Sequence, residues 1–379
     1  MDVLIVGDTH RTPELRHEVP LAIMASFVYA EADGRRIVAI TSMEAGRVQA
    51  LGTSLEVRTL EEFGADQLRR SGVEAHTFAN ELTRRIVRDV GVVRASVPDG
   101  FPLGVADALR SDGIELRVDQ KLFDERRRVK SGHEVAGIRR AQKASQAAMA
   151  AALDLLRRSE PSNGTRSVDG QLLTCELLKE RVQNVLIAHD ALATEIIASH
   201  GPQTAIGHEG GSGAIEADDV VLIDLFPVDV ESGCFADMTR TFALGRVADE
   251  LHAWHALCKE ALELAVSHIR PGVNGGDLHR RICALFAEHG HPTQVTKGEG
   301  EVLRDGFYHA LGHGVGLEAH ESPSIGMIGE ELVAGDVIAI EPALYRHGVG
   351  GVRLEDLLLL TDEGCEVLTE FPYDFHATQ

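Results

Sequence analysis

The chain has 379 residues, enough for two domains or one large one, and 44% of them are apolar and 25% charged, as in folded globular proteins. Its formal net charge of −22 argues against nucleic acid or an anionic membrane as a partner, because both repel an acidic surface. The five cysteines are scattered without a CxxC pair, which predicts reduced thiols. No basic segment precedes a long apolar run at the N-terminus, and no run approaches the ~20 apolar residues of a membrane span. We therefore expect a cytoplasmic protein.

The first part of the chain alternates short apolar runs with helical stretches. The runs VLIV, RIVAI and VVRASV predict strands, and helices are expected over residues 60–71 and 78–89. This pattern predicts an α/β domain over residues 1–125. No residue in this domain has a pattern typical of catalysis.

A long helix is predicted to open a second domain, residues 126–379. Ser131 and Glu134 have the spacing of a capping box, and apolar residues follow at helical intervals. The segment PSNGT at 161–165 ends this helix, and a second helix is expected over residues 169–188.

The remainder of the second domain repeats a pattern of strands and paired helices. Strands are predicted at 195–200, 220–226 and 235–244, helices at about 247–269 and 275–289, and further strands near 306–312, 336–341 and 352–360. Two successive units of two helices and several strands predict an α+β domain with helices on one face of a largely antiparallel sheet, with internal pseudo-symmetry.

Five side chains with metal-ligand chemistry lie inside or beside short apolar runs of the second domain. A charged carboxylate among core residues costs several kcal/mol unless it is paired, and no matching set of lysines and arginines lies in these runs. Four carboxylates and one imidazole are enough to bind two divalent cations, with bridging carboxylates shared between them. The five residues are Asp224, Asp237, His313, Glu341 and Glu355.

Strand periodicity predicts that the two aspartates face the same space. Asp224 follows Val220 and Leu222 on one face of a strand, and the ESG of 231–233 indicates a hairpin turn that brings Asp237 back beside it. Two adjacent carboxylates repel each other unless a cation lies between them. The alternative is that one aspartate lies in a turn and the other at the surface.

The two glutamates also lie in strand-like runs, DVIAIEP and GVRLEDLLLL. For Glu341 or Glu355 alone, a buried ion pair with a neighbour such as Arg353 is an alternative to metal binding. Together with the aspartate hairpin, metal binding is the favoured interpretation.

Three histidines lie among glycines in HALGHGVGLEAHESP, residues 309–323. The glycines allow the backbone to approach a ligand closely, and imidazole is a common metal ligand. A phosphate-binding loop is a weaker interpretation of this segment and of GHEGGSG at 207–213, because neither has the order strand, glycine loop, helix. The other histidines, including His189, His252, His255, His268 and His279, are interpreted as surface or packing residues.

Four segments resemble, in order, the metal motifs of the pita-bread metallopeptidases, among which aminopeptidase P and prolidase are most similar. These segments are VLIDLFPVDVESGCFADMTRTF, HALGHGVGLEAHESP, IAIEPALY and GVRLEDLLLLTDEG. The helix SGHEVAGIRRA resembles the start of that family's catalytic domain, and the first 125 residues are similar in size and pattern to the creatinase-like N-terminal domain. The resemblance implies an α+β fold with a curved, largely antiparallel sheet covered by helices, in two pseudo-symmetric halves.

Residue roles follow from the same resemblance. It implies that two divalent ions, usually Mn²⁺ and sometimes Co²⁺ or Zn²⁺, are bound by Asp224, Asp237, His313, Glu341 and Glu355, with Asp237 and Glu355 bridging. His208 matches a substrate-side histidine, and His320 matches one that stabilises the tetrahedral intermediate. His309 and Arg353 match further substrate-binding positions, and Glu341 is also expected to accept a proton.

One departure from the family pattern follows Asp224. The family commonly has Asp-x-Gly, whereas this chain has Leu225 and Phe226 after the aspartate, and its hairpin is two residues longer. Asp229 is therefore an alternative first ligand.

The resemblance implies hydrolysis of the N-terminal peptide bond of short peptides with proline second, by a metal-bridging hydroxide, in a homodimer. A Xaa-Pro dipeptidase shares the metal site and is the alternative. A metal-free creatinase-like C–N hydrolase and a non-catalytic binding module are less favoured, because both are expected to lose ligands and this chain keeps all five.

Overall fold

The computed structural model describes residues 2–377, except for the side chains of residues 75 and 76. The chain divides into two compact units, one ending at Arg127 and one beginning at Arg128. The sequence pattern places this boundary after residue 125. No helix in the described range is long and apolar enough to cross a membrane.

The first unit is built on a mixed six-stranded sheet. Its strands are β1 (Asp2–Gly7), β2 (Phe27–Ala32), β3 (Arg35–Ile40), β4 (Leu55–Thr59), β5 (Arg94–Val97) and β6 (Glu115–Val118). Its helices are α1 (Pro13–Glu18), α2 (Ser42–Gln49), α3 (Ala65–Arg70), α4 (Ala75–Val90) and α5 (Leu103–Ser111), and α6 (Gln120–Arg128) runs across the boundary. The strand order is β4-β3-β2-β1-β5-β6.

Both faces of this sheet are covered, as expected of an α/β unit. In β1, Leu4 packs in a core that includes Ile86 of α4, whereas Val3 and Ile5 pack on the opposite side with Val48 of α2. The alternation of strand side chains between two faces explains why nearly every residue of β1 is apolar.

The sequence predicts one continuous helix over residues 60–71, but the structure has two short helical segments there. A single turn of 3₁₀-helix, Leu60–Phe63, is followed by Gly64 with φ 81°, and only then does α3 begin. Glycine adopts this left-handed conformation at little cost, so it separates two short helices.

The first half of the second unit contains two long helices and an antiparallel sheet. Its elements are α7 (Gly132–Arg158), β7 (Glu160–Ser162), β8 (Thr165–Val168), β9 (Gln171–Leu172), α8 (Cys175–Ala188), β10 (Ala191–Leu192), β11 (Ile197–His200), β12 (Asp219–Leu225), β13 (Val228–Asp229) and β14 (Met238–Leu244). The predicted capping box opens α7, since Ser131 Oγ accepts from the backbone N–H of Glu134 while the Glu134 carboxylate accepts from the N–H of Ser131. Strands β11, β12 and β14 form one antiparallel sheet.

The predicted helix over residues 169–188 begins too early. Asp169 and Gly170 have φ values of 51° and 81° and connect β8 to β9, so α8 begins only at Cys175. Asp-Gly is a preferred pair for a two-residue hairpin turn, and this local signal outweighs the helical spacing around it.

The second half repeats the combination of two helices and antiparallel strands. Its elements are α9 (Asp249–His268), α10 (Gly275–Glu288), β15 (Gly312–Gly314), β16 (Glu321–Ile325), β17 (Val337–Ile340), β18 (Ala343–Arg346), β19 (Gly350–Arg353), β20 (Asp356–Leu360) and β21 (Cys365–Val367). The main sheet has the order β16-β15-β17-β20-β21, and β18 pairs with β19 separately.

Two of the strands predicted in this half differ from the structure. Residues 306–311 form no strand, because their backbone groups make only isolated contacts with separate segments, such as the Gly306–Tyr345 bridge and the bond from Leu311 to Ile325. The run 352–360 is two strands rather than one, interrupted at Leu354 and Glu355.

Each half has its own apolar core. Met149 of α7 and Leu178 of α8 pack with Val221 and Phe242 of the first sheet. In the second half, Leu262 of α9 and Phe286 of α10 belong to one core with Ile340 and Leu358. The helices therefore cover one face of each sheet, and the opposite face is available for polar side chains.

Arg240 of β14 is the largest side chain that is fully buried in this unit. Its guanidinium donates to Asp356 Oδ1 at 2.9 Å, to the carbonyl of Glu355 at 2.8 Å and to the carbonyl of Phe371 at 3.0 Å. Removing one partner leaves the other charge buried and unpaired.

We expect Arg240→Met to lower the free energy of unfolding by about 3–5 kcal/mol, because Asp356 would lose its cation. Arg139→Met is a matched control, since the Arg139–Glu366 pair is nearly half exposed and exposed pairs contribute about 0–1 kcal/mol. Urea denaturation of both variants measures the difference. Equal losses in the two variants would contradict the assignment of Arg240 as a structural cation.

Candidate active site

The hairpin of β12 and β14 places two aspartates on one face. Asp224 lies directly opposite Thr239, and Asp237 precedes Thr239 by two residues. Directly opposite residues and residues two apart share a face of a sheet, so both carboxylates point to the same side. This is the arrangement predicted from the strand period.

The second half contributes an imidazole and a glutamate from neighbouring strands. His313 lies in the middle of β15, opposite Ala339 of β17, and Glu341 follows β17 by one residue. The backbone N–H of Glu341 donates to the carbonyl of Leu311 at 2.8 Å, which continues the pairing of the two strands. Because Glu341 is two residues beyond Ala339, His313 and Glu341 lie on the same face of the sheet.

Glu355 connects the two halves at the interruption between β19 and β20. Its backbone N–H donates to the carbonyl of Thr239 at 3.1 Å, and its carboxylate accepts from Thr239 Oγ1 at 2.6 Å. The interruption that the sequence did not predict thus places a glutamate of the second half against the strand that follows Asp237.

All five predicted ligands line one cavity of about 320 Å³. Ligand atoms of Asp237, His313 and Glu355 lie within 4.8 Å of one another. His313 Nε2 is 3.8 Å from Asp237 Oδ2 and 3.7 Å from Glu341 Oε1. The structure therefore brings together residues that are up to 131 positions apart in the sequence, from Asp224 to Glu355.

The carboxylates of this cavity carry strongly perturbed pKa values. Burial, followed by the negative charges of Glu355 and Asp224, raises the pKa of Asp237 well above its usual range. Burial likewise raises the pKa of Glu355, with further contributions from Glu341 and Asp224, and burial raises the pKa of Glu341 to about 8. Each shift means that the charged form lacks sufficient compensation in the absence of a cation.

These residues fit divalent metal ions. Asp224 Oδ1 is buried and has no hydrogen-bond partner, and Arg353 is the only arginine or lysine among the described residues that line this cavity. Carboxylate oxygens and one imidazole are the donor set of hard and borderline divalent ions. Such an ion would give the unpartnered Asp224 Oδ1 a ligand contact beside the Asp–His–Glu cluster.

The imidazole of His313 has the tautomer needed for a ligand. Its Nδ1 lies 3.1 Å from the carbonyl of Gly314, which can only accept, so Nδ1 carries the proton. Nε2 is then an unprotonated nitrogen facing Asp237 and Glu341, and burial lowers the pKa of His313 to about 3. A neutral imidazole oriented by a carbonyl is typical of a metal ligand.

Arg353 pairs with an aspartate rather than with either glutamate. Its Nη2 donates to Asp224 Oδ2 at 2.5 Å, its Nη1 to Tyr345 Oη at 2.9 Å and its Nε to Thr239 Oγ1 at 3.1 Å. These contacts hold the guanidinium at the boundary between the ligand carboxylates and the open part of the site. The ion pair that was the alternative explanation for Glu341 and Glu355 is therefore absent from the described contacts of Arg353.

His309 extends this network through a tyrosine. Its Nδ1 donates to the carbonyl of Ala310 at 2.7 Å, so its Nε2 accepts from Tyr345 Oη at 3.1 Å while the same hydroxyl accepts from Arg353. Burial lowers the pKa of His309 to about 3, which keeps the ring neutral. The sequence pattern did not identify Tyr345 as a site residue. The signal that could have done so is its position in IAIEPALY, four residues after Glu341.

A second, more open cavity of about 670 Å³ adjoins the first. The two share His208, His313, His320, Glu341 and Arg353. The rings of His313 and His320 are in edge contact, with centroids 4.1 Å apart, and burial lowers the pKa of His320. His208 and His320 therefore lie where the ligand cluster meets the space in which a substrate could bind.

A buried ion pair next to His320 was also missed from the sequence. Lys130 Nζ donates to Glu321 Oε1, and both side chains are at most 5% exposed. Glu321 lines the larger cavity. No local signal could have indicated this pair, because the two residues are 191 positions apart.

The alternative ligand Asp229 has a different role. Its carboxylate accepts from Arg140 at 2.8 Å and from both the backbone and the hydroxyl of Ser232. It lines neither cavity. Asp229 therefore stabilises the lengthened hairpin, and Asp224 is the aspartate at the site.

The remaining histidines and the cysteines lie outside the two cavities. His255 and His279 are buried among core residues, and burial lowers the pKa of each to about 4. All five cysteines are free thiols.

Comparison with known proteins matches this chain to a family. The sequence profile of metallopeptidase family M24 matches residues 136–362. An uncharacterised peptidase of Bacillus subtilis is 33% identical over 185 residues, 48% of each chain, and a Xaa-Pro dipeptidase of Pyrococcus horikoshii is 28% identical over 284 residues, 74% of each. The chain thus spans about half the length of the first relative and three quarters of the second.

The fold is likewise that of known structures. The X-Pro aminopeptidase of Thermotoga maritima superposes with a TM-score of 0.77 at 21% identity, covering 100% of this chain and 97% of that one. The predicted fold class is confirmed, with an α+β pita-bread domain preceded by a smaller α/β unit.

Proposed function

The chain belongs to metallopeptidase family M24, and we propose that it releases the N-terminal residue from short peptides whose second residue is proline. The observation that supports this best is the convergence of Asp237, His313 and Glu355 within 4.8 Å, beside Asp224 and Glu341, in a cavity that opens into a larger one. A Xaa-Pro dipeptidase is the second candidate, favoured by the relative of that name in Pyrococcus horikoshii.

The proposed cofactor is a pair of divalent ions, Mn²⁺ before Co²⁺ or Zn²⁺. Asp224, Asp237, His313, Glu341 and Glu355 would hold these ions, with Glu341 Oε1 lying 3.7 Å from His313 Nε2. Two such ions lower the pKa of bound water and polarise a carbonyl. The four carboxylates and one imidazole supply donors for both ions.

Side chains around the ligands supply proton transfer and orientation. Glu341 Oε2 is 3.7 Å from His309 Nδ1 and faces both cavities, which suits it to accept and return a proton during hydrolysis. His320, in contact with His313, would donate a hydrogen bond to the oxyanion that develops on the scissile carbonyl.

An aromatic wall of the larger cavity suits a proline ring. Tyr308 and His309 line this cavity with ring centroids 5.9 Å apart, and the buried Tyr345 packs against both rings, at 4.8 Å from Tyr308 and 5.6 Å from His309. A proline in the second position would pack on His309 and Tyr308, in the cavity that His208 also lines. The proposed substrates are therefore short peptides. Separately, a homodimer is the proposed assembly.

Release of the first residue from dipeptides and tripeptides tests the specificity. With added Mn²⁺, we expect Met-Pro-Ala to be hydrolysed at least about 100-fold faster than Met-Ala-Ala, because an unfilled aromatic wall loses several kcal/mol of binding. Chromatographic release of methionine measures both rates.

Comparable hydrolysis of Met-Pro and Met-Pro-Ala supports an aminopeptidase that accepts dipeptides. Cleavage restricted to Met-Pro would establish the dipeptidase instead. If Met-Ala-Ala is cleaved as fast as Met-Pro-Ala, the proline requirement is wrong. If no peptide is cleaved in Mn²⁺, Co²⁺ or Zn²⁺, the peptidase proposal itself fails.

A further inference from the structure

The smaller cavity has an outer wall that the metal site does not use. This wall includes Glu195, Ile197, Phe226 and Ala319. Ile197 of β11 lies directly opposite Asp224 of β12. Glu195 precedes β11 and Phe226 follows β12, so both lie just beyond this pair of strands, and both line the smaller cavity with Asp224.

Glu195 carries the carboxylate of this wall that has no compensating charge. Asp224 pairs with Arg353, and bound cations would compensate the other ligand carboxylates. Glu195 is exposed, and among the described residues it has neither an ion-pair nor a hydrogen-bond partner. An acidic group at the rim of an anionic cavity attracts a cation and repels an anion.

Phe226 gives the same wall a large apolar surface. It stands two residues after Asp224, where the family pattern has glycine, so a ring occupies space that would otherwise be open. The stems of lysine and arginine are apolar and pack well on aromatic rings, while their charged ends reach water or a carboxylate. A ring and a neighbouring free carboxylate therefore match a long stem that ends in a positive charge.

We propose that Glu195 and Phe226 select a basic side chain, lysine or arginine, as the first residue of the substrate. This inference rests on the proposed function, because the first side chain lies in the smaller cavity only if the scissile bond lies beside the ligand cluster. Glu195 acts as a specificity residue and takes no part in the chemical step.

The charge contribution is measured with Lys-Pro-Ala and norleucine-Pro-Ala, whose first side chains share the four-carbon stem and differ in the ammonium group. For the native protein we expect kcat/KM to favour the lysine peptide by about 3- to 5-fold at low salt, the range of an exposed ion pair. Glu195→Gln should remove this advantage and Glu195→Lys should reverse it, while hydrolysis of the norleucine peptide stays within about 2-fold. Glu180→Gln, an exposed glutamate of α8, is the matched control and should keep the native ratio.

Binding of the released amino acids provides a readout that does not depend on turnover. In the presence of Mn²⁺, free lysine should bind more tightly than free norleucine to the native protein, and equally to Glu195→Gln. An unchanged lysine to norleucine ratio in Glu195→Gln, in both hydrolysis and binding, overturns this inference and leaves the peptidase intact. If no peptide is cleaved but the binding preference disappears in Glu195→Gln, the proposed function fails while the basic-side-chain site stands.

Discussion

Asp237→Asn is expected to lower kcat/KM by more than about 100-fold, since even the loss of a group that only orients a metal ligand costs 10- to 100-fold. The same variant should raise the free energy of unfolding of the metal-free protein at pH 7.5. Asp237 is almost fully buried beside three other carboxylates, with burial as the main cause of its raised pKa. The neutral amide removes both the desolvation cost and the repulsion.

The opposite signs of these two effects distinguish a metal ligand from a structural aspartate. We expect Asp237→Asn to raise the free energy of unfolding of the metal-free protein by about 1–3 kcal/mol. Each unit by which the folded protein raises the pKa of the aspartate corresponds to ~1.36 kcal/mol of destabilisation, and the neutral amide removes this cost. Urea denaturation in EDTA, metal analysis after dialysis against Mn²⁺ and peptide hydrolysis measure the three quantities. Asp362→Asn, at an exposed aspartate, is the control and should change none of them. An Asp237→Asn protein that is destabilised without metal, or that keeps native activity, would contradict the assignment.

After its metal has been removed, the protein is expected to lose stability as the pH rises from 6.5 to 8. Burial raises the pKa of Glu341 to about 8 in the folded metal-free site, and it also raises the pKa values of Asp237 and Glu355. In the unfolded chain these groups are ionised above about pH 4.5. The folded state therefore binds more protons than the unfolded state in this window, and stability falls as the pH rises.

In the window from pH 6.5 to 8, the difference between the metal-free and the metal-loaded protein isolates the carboxylates. Burial lowers the pKa values of His309 and His313 to about 3, so their effect on stability is confined to lower pH. The hydrogen bond to Asp219 raises the pKa of His200, so this histidine contributes a loss of stability with rising pH that is common to both forms. Glu341 alone should cost about 1–2 kcal/mol between pH 6.5 and 8, because the slope of ~1.36 kcal/mol per unit falls as the group deprotonates near its pKa of about 8.

Urea denaturation at pH 6.5 and pH 8 in EDTA, and again in excess Mn²⁺, measures this dependence. The metal-loaded protein should lose less stability over the window than the metal-free protein, because ligand deprotonation favours metal binding. Asp237→Asn should reduce the slope of the metal-free protein. A metal-free protein that gains stability toward pH 8 would rule out compensation of these carboxylates by protons.

The predictions from local pattern succeeded where one segment contains all the information. The capping box of Ser131 and Glu134, the turn after Asp224 and the shared face of Asp224 and Asp237 depend on residues within about twenty positions. The predictions that failed involve single turns, such as Gly64 and the Asp169–Gly170 pair, where a left-handed backbone outweighs helical spacing.

The sequence by itself determined the kind of chemistry in this protein, since charged groups inside apolar runs must be compensated and only certain cations accept four carboxylates and an imidazole. The tertiary structure decided which groups meet. The backbone bond from Glu355 to Thr239, the Arg353 contact with Asp224 and Tyr345, and the presence of Glu195 and Phe226 in one cavity all depend on contacts between distant segments. Side-chain pattern along one segment specifies which face a residue occupies, but only the packing of the strands specifies what lies across from it.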